Sequence, residues 1–215
     1  MSIQINGTTG ISGVAGSVSA PMLTGDDANC GISFPAADTI KFSTGGVERM
    51  QITDSGVSGT GLGKILQVVS TTKTDTSSMT GETPTDIAGF TVTITPSSTS
   101  SKIMIFACIN HGGTSAGYPG FNLFRGTTEI CKGTYGTGSN RNLTTGASNV
   151  DSYKLTSSIL HFLDSPNTTS AITYKVQMST YGSQVVWINR PLSVSSSYNY
   201  TMGTTSTITA QEVAA

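Results

Sequence analysis

Apolar residues in this chain recur at every second position or in short unbroken runs, and no long window carries them at the i, i+3, i+4, i+7 spacing of a helix face. In "FTVTIT", Phe90, Val92 and Ile94 fall on one side while Thr91, Thr93 and Thr95 fall on the other, the alternation of a half-buried strand. "AITYKVQMS" repeats the pattern with Ile172, Tyr174, Val176 and Met178. "KIMIFACI" is apolar almost throughout, which predicts a strand buried on both faces. "FNLF", "SILHFL", "QVVWIN" and "STITAQEV" complete a set of short strands separated by Gly, Pro, Ser and Asn. The pattern predicts an all-β protein, built as a sandwich, a jelly roll or a barrel.

The pattern changes at "GVSGTGLG", Gly56 to Gly63. Before it, strand-like pieces are very short and end in Gly, Pro or Asp-Ser-Gly; after it, longer and more apolar strands begin with "KILQVV". A boundary here divides the chain into a small extended β module, residues 1–62 including a Gly/Ser spacer, and a larger β domain, residues 63–215. The module's large apolar residues are few: Ile3, Ile5, Ile11, Met22, Leu23, Ile32, Phe34, Ile40, Phe42, Val47, Met50 and Ile52. A unit of that size buries only about 60% of its extended-chain surface and is marginal alone. It is therefore expected to complete its core against other chains or a docking surface. Candidate contact residues are Ile3, Ile5, Ile32, Phe34, Phe42, Glu48, Arg49, Met50 and Ile52. Met50 and Ile52 share a face by alternation; Glu48 and Arg49, being adjacent, face oppositely and read as partners for neighbouring chains. "GGVERMQITDSGVSGTG" as a whole reads as the module's last strand running out into the spacer.

Composition narrows the function. Charged residues make up 11% of the chain, against about 25% in ordinary soluble domains, and the net charge is −1. That balance gives no footprint for nucleic acid or an anionic membrane, and no apolar run approaches the roughly 20 residues of a membrane helix. "MSIQINGTTG" lacks the basic and apolar regions of a signal peptide. Cys30, Cys108 and Cys131 are odd in number and have no metal-type spacing. Cys108, inside "KIMIFACI", reads as a buried free thiol, with a Cys108–Cys131 disulfide the minor alternative.

Catalytic patterns are missing. Asp26 and Asp27 are adjacent, which on a strand sends them to opposite faces, and "TGDDANCG" reads as a turn. "GTGLGK" departs from a phosphate loop because Ile65 follows Lys64, and no GxSxG elbow occurs. The expectation is a protein that is not an enzyme, with no cofactor and no metal site. His161 reads as a hydrogen-bonded strand residue. His111, in "INHGGTSAGYPG", reads as a solvated loop-edge residue, with a metal ligand or a sugar contact as the alternatives. Tyr118, Tyr135, Tyr181, Tyr198 and Tyr200 sit among Ser, Gly and Asn, a composition suited to adaptable contact surfaces. Such rings also cap sheet edges or fill subunit interfaces, and both readings stand.

The run "INGTTGISGVAGS…TGDDANCGISFPAADTIKFSTGGVERMQITDSGVSGTG" resembles modules of tail-fibre and related appendage proteins of tailed bacteriophages, particularly those infecting marine bacteria and cyanobacteria. "ITPSSTSSKIMI", "FNLFRGTTEI", "FLDSPNTTSAITYKVQM" and "STITAQEVAA", in that order, are similar to a companion domain of the same proteins. The resemblance implies a homotrimeric virion component made in the host cytoplasm. Its N-terminal part would dock onto tail or capsid proteins through the contact residues above. Its C-terminal jelly roll would present His111 and the five tyrosines to host polysaccharide. The chain has no shaft repeats, which fits a short tail fibre or a head fibre better than a long one. A capsid decoration protein that stabilises the shell without a receptor is the alternative. A polysaccharide-degrading spike fits less well: Asp75, Glu82, Asp86, Glu129, Asp151, Asp164 and Glu212 are widely spread, whereas glycosidases hold two carboxylates roughly 5–10 Å apart.

Overall fold

The computed structural model describes residues 4–6, 10–12, 16–24, 26–59, 65–115, 117–134, 143–147, 152–195, 197 and 201–214, the first two segments as backbone only. It is all-β and antiparallel throughout, with no helix among these residues long and apolar enough to cross a membrane. The chain forms two compact units, Met1–Lys64 and Ile65–Ala215.

In the first unit, β1 (Gln4–Asn6) pairs with β2 (Gly10–Ser12) as a hairpin. A second sheet is a meander of β3 (Leu23–Thr24), β4 (Gly31–Ser33), β5 (Ile40–Thr44), β6 (Val47–Thr53) and β7 (Gly56–Gly59), each strand beside the next. Gly45 and Gly46 join β5 to β6 with φ of 61° and 70°. Positive φ at both central residues defines the two-residue turn whose twist matches the flanking strands, and glycine adopts it without strain. Register sets Ile32 opposite Phe42 and Phe42 opposite Met50, a row across three strands, with Ile40 opposite Ile52 beside it. Between Phe42 and Ser43 the register slips, so that Arg49 bulges from β6.

Two expectations change here. Residues 56–59 are not spacer: they fold back as β7 and pair with Met50 to Thr53. Gly59 is needed for this, since a Cβ there would lie 2.1 Å from the Arg49 carbonyl oxygen. Glu48 does not wait for a neighbouring chain either. The bulge brings it diagonal to Lys41, whose Nζ lies 2.6 Å from Glu48 Oε2, and Arg49 Nε donates to Thr44 Oγ1 at 2.7 Å. Among the described side chains of this unit the buried ones are Ser33 and Ser43, and none is apolar.

The second unit comprises β8 (Ile65–Lys73), β9 (Ser77–Thr80), β10 (Thr85–Ile94), β11 (Lys102–Gly113), β12 (Gly120–Arg125), β13 (Thr128–Ile130), β14 (Thr145–Gly146), β15 (Thr156–Asp164), β16 (Ile172–Ser179), β17 (Val185–Ile188) and β18 (Ser206–Val213). One sheet holds β8, β18, β11 and β15 in that order, extended by β17 and β9 at the end of β11. The other holds β10, β16, β12 and β13, with β14 also on β12. The chain crosses from one sheet to the other at each step from β9 to β12 and again from β14 to β17, while β8–β9, β12–β14 and β17–β18 stay within a sheet, a jelly-roll-like winding. The inward rows meet between the sheets: Ile103, Ile105 and Ile109 from β11, Ile208 from β18, Phe90, Val92 and Ile94 from β10, and Tyr174, Val176 and Met178 from β16 are all buried. "KIMIFACI" departs from its expectation. Only alternate residues of this run are buried; Phe106 is 44% exposed on the outer face, with Met104 and Cys108 half-buried beside it. The three cysteines are free, and Cys108 is not the buried thiol its run predicts.

The two buried carboxylates of this unit, Glu212 and Asp164, are paired, as burial demands. Glu212 is fully buried; Oε1 accepts from Ser97 N at 2.7 Å and Ser97 Oγ at 2.6 Å, and Oε2 accepts from Gln67 Nε2 at 2.6 Å. Burial pushes its acidity toward the neutral form, but the bonds from Gln67, Ser97 and Ser101 win and hold its pKa at about 2. Asp164, on β15 at the edge of the same sheet, accepts from Arg125 Nη1 at 3.0 Å and from Tyr174 Oη at 2.7 Å, and so ties the two sheets together. Burial first, then that bond, pushes the Tyr174 phenol well above its ordinary range.

Candidate functional site

β12 and β16 are neighbours with Gly120 opposite Ser179, so the loop entering β12 and the loop leaving β16 emerge at the same end of the sheet. Each carries an exposed tyrosine, Tyr118 at 52% and Tyr181 at 60%. The rings meet edge to face, 6.4 Å between centroids at 82°, a geometry that aromatic quadrupoles favour. Backbone bonds hold both loops. Gly117 N donates to Thr114 O, Gln184 N to Tyr181 O and Thr180 N to Gly81 O. Gly182 N donates to Glu82 Oε1 at 3.1 Å.

Glu82 also lines a cleft of about 200 Å3, with Pro84, Asn122, Glu129, Lys132, Leu143 and Ser179. Alternation along "FNLF" explains Asn122: Phe121 and Leu123 point into the core, so Asn122 points out of the sheet. Asn122 and Ser179 are nonetheless buried, at the bottom of the cleft. Asn122 Nδ2 donates to Glu129 Oε1, and Lys132 Nζ lies 2.9 Å from Glu129 Oε2. The cleft thus offers carboxylate acceptors, an amide and an ammonium group between apolar walls, two residues along the chain from an exposed aromatic pair. It is smaller than the roughly 300 Å3 at which drug-sized pockets begin. Its donors and acceptors suit a compact neutral ligand rich in hydroxyls.

The sequence-predicted residues separate into groups. Tyr118 and Tyr181 come together. Tyr135, Tyr198 and Tyr200 lie outside the described residues, as does Ile3, and of Ile5 only the backbone is described, opposite Ile11. His111 is neither at a loop edge nor available to a ligand. β11 runs on to Gly113, pairing His111 with Ile188, and the alternation that buries Ile109 buries His111 as well. Its Nε2 lies 2.9 Å from Ser158 Oγ, and its ring packs 5.1 Å from that of Phe121. His161 is exposed on β15 opposite Phe106. Of the first unit's candidates, Phe34 (38% exposed) and Ile52 line an open groove of about 490 Å3, together with Ala36, Asp38, Ile40 and Asp54. Among the described residues no group of His, Cys, Asp and Glu is placed to hold a metal ion.

No protein-family model matches the chain, and no curated protein matches it in sequence. One solved structure with a similar path is "The 2.6A structure of Infectious Bursal Virus Derived T=1 Particles", at 11% identity and a TM-score of 0.35. That match takes in 94% of this chain and 54% of the other, so the chain spans about half the length of that protein. A likeness so distant does not bear on function.

Proposed function

We propose that this chain is a structural protein of a tailed-bacteriophage virion, a short trimeric tail or head fibre that recognises host-surface glycan without enzymatic activity. Unit Met1–Lys64 attaches to the particle, and the jelly roll presents the binding surface. The observation that carries the glycan reading is the exposed Tyr118–Tyr181 pair beside the Glu82, Asn122, Glu129 and Lys132 cleft. Tyrosine faces take the apolar side of a sugar, while carboxylate and amide groups take its hydroxyls. Glu129 is engaged by Asn122 and Lys132, and Glu82 by the Gly182 amide, so both carboxylates act as positioned acceptors. The order of motifs shared with phage appendage proteins supports the virion setting, and the groove at Phe34 and Ile52 supports docking through the first unit.

The test is binding of the full-length chain to an array of bacterial surface polysaccharides, alongside the Tyr118→Ala/Tyr181→Ala and Asn122→Ala variants. Wild type is expected to bind a neutral glycan and both variants to lose it. Absence of binding across the array, with the chain still found on intact particles by immunogold labelling, would favour shell decoration instead.

A further inference from the structure

We propose that the outer face of the β8–β18–β11–β15 sheet is where copies of this chain pack against one another; the proposal rests on the self-association reading and gives it a location. The two outer faces of the jelly roll differ in kind. On the β10–β16–β12 sheet the outward residues satisfy one another. Asp86 accepts from Lys175 and Gln177, Thr93 and Thr173 share a hydrogen bond, and Lys175 lies over the Phe124 ring. On the opposite sheet Leu66, Val68, Phe106, Ile159 and Leu163 are between 42% and 67% exposed. Register brings Phe106, Ile159 and Leu163 together with Met104 and Cys108, while Val68 lies beyond Gln211 on the same face. Val68, Gln211, Met104 and Leu163 form one row across four strands, Ser70, Thr209, Phe106 and His161 the next, and Cys108 lies beside Ile159 in a third. A contiguous apolar surface of this kind marks an interaction site.

Charge identifies the occupant. The outward residues of these four strands include Lys102 and His161 but no carboxylate, because Asp164 and Glu212 point inward. A partner surface rich in charge would find Lys102 as its one counterpart, at the end of the face, and would bury its other charges unpaired, a desolvation cost. The matching surface is apolar, hydroxyl-rich and nearly free of charge, and this same face on another copy is such a surface. Its single formal charge, Lys102, lies opposite Val213 at the end of the face, away from the patch of Phe106, Ile159 and Leu163.

Cys108 reports on this face directly. The experiment uses the full-length chain, reading mass by light scattering and labelling of Cys108 by maleimide with peptide mapping, Cys30 serving as reference thiol. The variants are Ile159→Glu and Phe106→Glu, with Thr93→Glu on the opposite face as control and circular dichroism to confirm folding. Wild type is expected to be oligomeric with Cys108 protected. Either face variant should expose Cys108, whether or not the first unit still holds the assembly together, and Thr93→Glu should change neither reading. An oligomeric wild type whose Cys108 labels as fast as in Ile159→Glu overturns the location and leaves self-association standing. Continued Cys108 protection in both face variants likewise overturns the location. A monomeric wild type overturns both.

Discussion

The unit Ile65–Ala215 closes its apolar rows between two sheets, whereas the described side chains of the β3–β7 meander in Met1–Lys64 close no buried apolar row. Among the described residues, every buried apolar side chain, from Ile87 to Ala210, belongs to the larger unit. The smaller unit is not poor in apolar pattern: Ile32, Phe42 and Met50 align as well as any row in the jelly roll. Among the described residues no second layer buries that row, and a stable domain needs two layers around its core. Layer number, more than hydrophobicity, separates a unit that carries its own stability from one that borrows it.

The sharpest test substitutes one aromatic in each unit. Phe121→Ala removes a ring with no exposure from the jelly-roll core and should cost about 3–5 kcal/mol. Phe42→Ala, half-buried on β5, should cost no more than roughly 1–2 kcal/mol. Urea midpoints of the full-length variants measure both, and equal losses would erase the distinction. Acid should divide the units next. Glu212 has an ordinary value of 4.5 when unfolded and about 2 when folded. Its contribution is thus fully present above pH 4.5 and is lost as pH falls from there through about 2. At roughly 1.4 kcal/mol per pH unit the gap corresponds to about 3 kcal/mol. Glu212→Gln should flatten that acid slope of the jelly-roll transition. A slope unchanged by the substitution would mean another group controls it. Tyr174→Phe is a smaller perturbation. Asp164 keeps Arg125, so loss of the phenol hydroxyl should cost about 1–2 kcal/mol in thermal unfolding.

The all-β class and much of the core were legible from alternation. Phe90, Val92 and Ile94, and the row from Ile172 to Met178, are buried as their period predicts. "KIMIFACI" misled because an apolar residue left outward and one turned inward look alike in a sequence; only the pairing of Phe106 with exposed His161 and Thr209 separates them. His111 was legible in principle, since it continues the parity of Ile105 and Ile109, but the glycines after it read as the start of a loop. The cleft was not legible at all. Glu82, Asn122, Glu129 and Ser179 are assembled by the registers of β12 with β13 and β16, and register between distant strands is not written in the period of either one.

The Lys41–Glu48 pair tests the thin layer at its lowest energy. Their side chains are 26% and 32% exposed, so water still reaches both and the attraction is screened. Replacing each alone and both together, Lys41→Met and Glu48→Gln, should give a coupling of about 0.2–1 kcal/mol, shrinking further as salt is raised through the range where the Debye length falls below roughly 10 Å. The measurement is informative because its failure has a direction. A coupling well above that range, insensitive to salt, requires the pair to be desolvated. The sheet of Met1–Lys64 alone leaves it wet, so the missing cover would have to come from outside the unit. The second layer would then be supplied by what this unit docks against, and the pair would strengthen only in that assembled state.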